Sequence, residues 1–299
     1  MFKRIILFLL TNIAVIAVLS IVIFIVERVT GISISGYSSS YVSIFLYALI
    51  VGFTGSFISL LISRWTAKKA YGVVLVDINN IKNFNPKMGK VFQTVKILAD
   101  QNHIVMPEVG IYESNDPNAF ATGPSKNKSL IAVSSGLLDL MNENEIDGVI
   151  GHEMAHILNG DMVTMTLLQG VLNTFVIFIS RVLANIFNNI TDGKFGNLGY
   201  FLVSLVLEIL FGILASLIAM SFSRYREFRA DEGSARFLGK DKMIAGLRAL
   251  QKMQNIASGD DEKLATMKIS TKKRFGILRY FSSHPDLEDR ILRLENLSI

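Results

Sequence analysis

Apolar positions along this chain gather into four long blocks separated by polar and charged stretches. Residues 5–26 run for 22 positions without a charge and follow Lys3 and Arg4, and residues 41–63 form a second block that ends at Arg64-Trp65, with Lys68 and Lys69 close behind. A third block covers 162–190 and a fourth 198–222; a short polar stretch, 191–197, joins them, and Arg224, Arg226 and Arg229 follow. Each block suits a helix crossing a bilayer, which needs about 20 apolar residues. The first exceeds the apolar core of a signal peptide, and no small-residue cleavage site follows closely, so an uncleaved anchor is expected. Basic residues collect before the first block and after the second, while residues 27–40 hold only Arg28, which predicts that both ends of this hairpin face the cytoplasm. If the last two blocks also span, 191–197 lies outside and both termini are cytoplasmic.

The remaining segments have shorter periods. Within 67–161 the pattern predicts a helix over 88–102, strands at 107–112, at 118–123 (ended by Gly-Pro) and at 130–134, a short helix at 137–141, and then a further helix. Beyond the fourth block it predicts helices at 224–238 and 240–256, a charged turn at Gly259-Asp260-Asp261, and an amphipathic helix at 286–294. The expected organisation is an N-terminal transmembrane hairpin (1–66), a cytoplasmic segment with a small sheet (67–161), a second transmembrane hairpin (162–222) and a cytoplasmic helical segment (223–299). This is an α+β membrane protein, mostly helical, with four transmembrane helices and one cytoplasmic domain.

Composition agrees: 51% of the 299 residues are hydrophobic and only 18% charged, too apolar for an ordinary soluble domain. The net charge of +5 suits basic loops on one side of a bilayer, so the expected partner is lipid, and nucleic acid need not be invoked. The absence of cysteine removes thiol catalysis, disulfides and cysteine-held zinc.

The chemistry concentrates in 145–161, E-I-D-G-V-I-G-H-E-M-A-H-I-L-N-G-D. His152 and His156 are four apart, so a helix projects both imidazoles from one face, as a single metal ion requires. Glu153 lies beside that face, placed to reach a water on the metal. This is the H-E-x-x-H pattern of zinc metalloproteases. Only four histidines are present, and two of them with a glutamate in an otherwise apolar helix would carry a burial cost unless something satisfied them. A histidine at the extended-motif position is absent, because Asn159 and Met162 stand where Gly and His would be. The third ligand therefore comes from elsewhere. Glu227, in R-Y-R-E-F-R-A-D-E, is the best candidate, with Asp231 one turn later to hold a ligand histidine; His103 stays open. A surface helix whose acids pair with Arg224, Arg226 and Arg229 is the competing reading. Within the apolar blocks, Arg181 and Glu208 lie about equally far from Lys194, so a structural ion pair between them is expected.

Taken together, N-A-F-A-T-G at 118–123, S-L-I-A-V at 129–133, G-H-E-M-A-H at 151–156, E-F-R-A-D at 227–231 and S-H-P-D-L-E-D-R-I at 283–291 resemble the HtpX group of membrane zinc endopeptidases, relatives of the CAAX prenyl proteases. The resemblance covers nearly the whole chain. It implies a zincin-like (gluzincin) protease domain holding one Zn²⁺ on His152, His156 and Glu227, with Glu153 as base, Asp161 and Asp231 orienting ligand histidines, and His284 and Asn118 stabilising the oxyanion. It further implies that Asn118, Ala119, Phe120 and Ala121 lie on an edge strand that binds extended substrate. The expected partners are unfolded or misfolded proteins, mainly of the membrane, met at the cytoplasmic face of a bacterial inner membrane in quality control and stress response. The alternative is a polytopic metal transporter or channel using the His/Glu cluster as its binding site.

Overall fold

The computed structural model describes residues 2–34, 40–259 and 282–298. In chain order its elements are α1 (Phe2–Thr30), α2 (Tyr41–Tyr71), β1 (Val74–Val76), a 3-10 turn at Ile81–Asn83, α3 (Pro86–Gln101), β2 (Glu108–Tyr112), β3 (Ala119–Ser125), β4 (Lys128–Ser134), α4 (Ser135–Leu140), α5 (Glu143–Asn159), α6 (Asp161–Ile190), α7 (Gly196–Leu238), α8 (Lys240–Gly259) and α9 (Leu287–Glu295). The protein is mostly helical with a small mixed sheet. Among the described residues, α2, α6 and α7 are long and apolar enough to cross a membrane.

Three differences from the sequence pattern have simple causes. The expected helices 198–222 and 224–238 are one helix, α7, of 43 residues. No Gly or Pro falls between Ile213 and Glu232, and a change from apolar to charged composition does not itself stop a helix. The strand expected to end at Gly123-Pro124 continues to Ser125, because the ladder absorbs the disturbance as a register shift between Thr122 and Ser125. The short strand β1 has no counterpart in the sequence reading, since three residues are too few to show a period. Residues 260–261 of the charged turn lie outside the described residues.

The chain divides into two compact units, residues 1–61 with 164–219, and residues 62–163 with 220–299. In the first, apolar side chains such as Val171, Phe175, Val206 and Ile209 point outward, as lipid-facing positions do. Inside this unit Phe45 meets Phe178 edge to face at 5.7 Å.

The second unit is built on the sheet, in strand order β1-β2-β4-β3, with the central β2–β4 pair parallel and both outer pairs antiparallel. Period-two alternation divides its side chains between two surfaces. Val109, Ile131 and Val133 face α3 and α5, where they pack with Val91, Val95, Leu98, Ile146, Ile150, Met154 and Ile157. Tyr112, Leu130 and Ala132 face the other way and meet Ala67, Val73 and Phe120. The helix α5 starts at a capping box: Asn142 Oδ1 accepts from the N–H groups of Asn144 and Glu145 at 3.0 and 3.1 Å, and Glu145 Oε2 accepts from Asn142 N–H at 2.8 Å. Gly148 lets α8 approach, because a Cβ there would lie 2.2 Å from the Lys242 carbonyl oxygen. Beside it the buried Asp147 accepts from Thr94 Oγ1 at 2.7 Å and Lys242 Nζ at 2.6 Å, with Lys90 Nζ at 3.2 Å, tying α3, α5 and α8 together. The helix ends at Gly160, whose φ of 70° is the left-handed cap that reverses the chain into Asp161.

Candidate active site

One turn of α5 separates His152 from His156, and their rings stand nearly perpendicular with centroids 4.6 Å apart. Their Nε2 atoms are 3.1 Å apart, and Glu227 on α7 brings its carboxylate oxygens to 3.4 Å from each. The three ligand atoms lie within 4.8 Å of one another. The outer ring nitrogens are taken: His156 Nδ1 is 2.6 Å from Asp161 Oδ2, and His152 Nδ1 is 2.9 Å from Asp231 Oδ1. With a proton on each Nδ1 for those carboxylates, both Nε2 atoms present lone pairs toward each other and toward Glu227. Three lone-pair groups converge there with no donor between them, and a cation is what such a cluster accommodates.

The charge balance says the same. Four carboxylates, Glu153, Asp161, Glu227 and Asp231, face only two guanidiniums, those of Arg226 and Arg290, an excess of acid groups that a divalent ion offsets when the imidazoles are neutral. Among the described residues, the buried Glu227 Oε2 accepts no hydrogen bond of good geometry, although His284 Nδ1 lies 2.8 Å away. Without an ion, protons take up the charge. Burial opposes charging His156, but hydrogen bonds to Asp161 and Glu227 prevail and raise its pKa to about 9. Burial likewise opposes charging His152, and Asp231 and Glu227 still raise it. Burial would raise Glu227, yet His152, His156 and His284 hold it far below the usual carboxylate range. A metal entering this site displaces protons.

Glu153 differs from its neighbours. Burial pushes its carboxyl up, only partly offset by the two imidazoles and by a hydrogen bond from the backbone of Ala121 on β3. A carboxylate raised toward neutrality beside a metal group is suited to proton transfer. The bond to Ala121 also reports how β3 lies. Ser134 N–H donates to the Asn118 carbonyl at 2.9 Å, so residue 118 is hydrogen-bonded to β4, and by the antiparallel alternation Ala119 and Ala121 turn their backbone groups to the free edge. That edge faces Glu153.

The structure thus brings His152, His156, Glu227, Asp161, Asp231 and Glu153 together, with His284 reaching Glu227 from an exposed position ahead of α9. His103 does not join the group that could hold a metal ion, which is His152, His156 and Glu227 among the described residues. Asn118 has its amide engaged elsewhere, donating from Nδ2 to Tyr112 Oη at 2.9 Å. Arg181 and Glu208 stand 3.1 Å apart in the other unit. Sequence reasoning missed Arg290. It is buried, donates to Asp231 from Nε and Nη2 at 2.8 and 2.6 Å, and reaches Glu227 Oε2 from Nη1 at 3.5 Å. Its signals were its place in the S-H-P-D-L-E-D-R-I motif, to which no role was given, and its position on the same face as Ile291 and Leu294, where an arginine is out of keeping with an apolar stripe.

An H-E-x-x-H helix, a glutamate brought beside it from a distant helix and an adjacent edge strand, carried with long apolar helices, define a membrane metallopeptidase. Residues 86–298 match the model of Peptidase family M48, and the chain belongs to that family. It is 48% identical over 305 residues to Protease HtpX of Tolumonas auensis, covering 99% of each chain, and 49% identical over 296 residues to Protease HtpX of Pasteurella multocida, covering 98% of each. A Protease HtpX homolog of Bacillus subtilis is 45% identical over 307 residues, with 99% of each chain covered. Among solved structures, the crystal structure of S. mikatae Ste24p superposes with a TM-score of 0.65 at 15% identity, covering 99% of this chain and 67% of that one, a likeness of fold. The protein is a multi-pass membrane metalloprotease that acts on peptide substrates, and a transporter reading is not favoured.

Proposed function

We propose that the protein is a zinc endopeptidase with four transmembrane helices in a bacterial inner membrane, its active site and both termini cytoplasmic, that cleaves misfolded or damaged membrane proteins. The observation that carries the reading is the convergence of His152 Nε2, His156 Nε2 and Glu227 beside Glu153 and the open edge of β3. Nitrogen and carboxylate donors of this number suit Zn²⁺ with one position left open. His152, His156 and Glu227 would hold the zinc, which when bound would supply Lewis-acid chemistry to the scissile carbonyl and to the attacking water. Glu153 would take a proton from the attacking water and return it to the leaving amine. Asp161 and Asp231 keep Nδ1–H on the two imidazoles and so aim Nε2 at the ion. His284, exposed beside Glu227, and Asn118, just ahead of β3, would stabilise the developing oxyanion.

The outward backbone of Ala119 and Ala121, flanked by Asn118 and Phe120, offers an extended peptide a strand partner. Such pairing requires an unfolded segment and reads few side chains, which fits damaged proteins as substrates. The sidedness rests on Lys3, Arg4, Arg64, Lys68, Lys69 and the arginines after residue 222, against a lone Arg28 in the first loop.

The test uses the full chain purified in detergent. Wild type should bind one zinc and cleave casein, lose cleavage on chelation and regain it with zinc; full zinc occupancy in Glu227→Ala would remove that residue as a ligand. Because the chain has no cysteine, single cysteines at Asp192 and Ile78 report sidedness by labelling in cells, and labelling of both from the same side overturns the topology.

A further inference from the structure

Side chains alternate along β3, so Ala119 and Ala121 pack toward α5 while Phe120 packs on the opposite surface of the sheet. On that surface three rings meet. Phe120 lies 5.2 Å from Tyr71, which ends α2, and 5.7 Å from Tyr112 of β2, and Tyr71 lies 5.3 Å from Tyr112, all centroid to centroid. The β4 residue paired with Phe120 is Ala132, whose small side chain leaves the space above the middle strand to these rings. Tyr112 is buried at 4% exposure and tied to Asn118, Phe120 is half-buried, and Tyr71 remains 49% exposed. The cluster is therefore anchored by Tyr112, while Tyr71 is half-exposed and Phe120, on the edge strand β3, is only partly covered.

We propose that Phe120 and Tyr71, backed by the buried Tyr112, form the subsite for one bulky apolar side chain of the substrate, the residue lying opposite Phe120 when an extended peptide pairs with β3. The inference rests on the reading of β3 as the substrate strand. An added strand repeats the alternation of its partner about 4.8 Å away, so the residue opposite Phe120 lies on the aromatic surface within contact of the ring. Its two neighbours in the peptide point toward α5, where Ala119 and Ala121 offer only methyl groups. Backbone pairing is indifferent to sequence, so the rings are where β3 discriminates. They favour an aromatic or branched aliphatic residue and reject Asp or Lys, whose charge would be stripped of water against apolar rings.

The experiment uses the zinc-loaded full-length enzyme and quenched-fluorescent peptides in which one Phe is walked along an Ala/Ser background, with cleavage sites read by mass spectrometry. The expected result for wild type is a cleaved bond that moves with the Phe at constant spacing, and a kcat/KM about tenfold or more above that of the all-Ala/Ser peptide. In Phe120→Ala, and in the half-exposed Tyr71→Ala should the first not fold, that ratio should fall to within about threefold, and Phe120→Leu should restore part of it. An unchanged ratio in both alanine variants, or cleavage by wild type that ignores the Phe, overturns the subsite. A peptide N-methylated at the residues opposite Ala119 and Ala121 separates the two readings. If N-methylation abolishes cleavage while the Phe has no effect, β3 stands as the substrate strand and the subsite fails. If N-methylation has no effect, the strand reading fails and the subsite fails with it.

Discussion

Arg290 grips Asp231 through two parallel hydrogen bonds, at 2.8 and 2.6 Å, and Asp231 in turn lies 2.9 Å from His152 Nδ1. A residue of α9 thereby reaches His152, the first of the proposed metal ligands, through a carboxylate on α7. Burial would raise Asp231, but Arg290 and then His152 hold it below the usual carboxylate range. Removing Arg290 leaves that carboxylate buried without its countercharge, at a cost of about 3–5 kcal/mol. Arg290→Gln should lower the melting temperature and weaken zinc binding by roughly 10–100-fold. Wild-type zinc affinity in that variant, read by competition with a chromogenic chelator, would show that the Arg290–Asp231 pair does not hold His152.

Glu153→Gln should retain zinc at wild-type stoichiometry and lose about 10²–10⁴-fold in kcat. The amide keeps the shape of the carboxylate and cannot take a proton. Metal content by atomic absorption beside casein hydrolysis decides it; loss of zinc together with activity would mean that Glu153 belongs to the ligand set.

Asp161→Asn addresses the other imidazole. It replaces the charged acceptor 2.6 Å from His156 Nδ1 with a neutral amide, which can present its NH2 there and allow the ring to turn or change tautomer. Zinc affinity should drop roughly 10–100-fold with the fold intact. Calorimetric zinc titration and thermal unfolding measured together separate this from a general loss of structure.

Asp147 makes stability depend on pH. Burial would raise its carboxyl, but hydrogen bonds from Lys242, Thr94 and Lys90 outweigh burial and lower it below 3.8. A group whose folded value is depressed contributes stability above its unfolded value and loses that contribution as pH falls through the folded one. Asp147→Asn should therefore be less stable than wild type at pH 7, by about 1.5–3 kcal/mol for lost bonds to a charged group, with the gap closing below about pH 4. Parallel melting curves from pH 7 to pH 3 with a constant gap would exclude Asp147 as the titrating group.

Arg181 and Glu208, 3.1 Å apart within the apolar helices, should be coupled. A double-mutant cycle of Arg181→Gln and Glu208→Gln, followed by denaturant unfolding in bicelles, should return a coupling of about 0.5–3 kcal/mol. Additive losses would leave the pair without a structural role.

Much of this site could be read from spacing because the spacing is helical. His152, Glu153 and His156 occupy one turn, and Glu227 and Asp231 another, so period and residue type suffice to put each set on one face. Arg290 and Tyr112 escaped because their roles depend on partners in other elements: Asp231 is 59 residues from Arg290 in sequence. The same limit applies to β3. Its place at the end of the strand order, with the backbone groups of Ala119 and Ala121 turned outward, follows from pairing with β4; in the sequence it was implied only by the resemblance of N-A-F-A-T-G, and not by any period of the segment.

By itself, the sequence determined the apolar helices, the H-E-x-x-H turn, the absence of cysteine chemistry and the candidate ligand Glu227, since all of these depend on local period, residue type or composition. Tertiary structure decided the rest. It brought Glu227 to 3.4 Å from both imidazoles, assigned Asp161 to His156 and Asp231 to His152, buried Arg290 behind them and turned the free edge of β3 toward Glu153. The physical reason is that a metal site is a balance of converging lone pairs and charges, and which groups converge depends on helices and strands far apart in the chain.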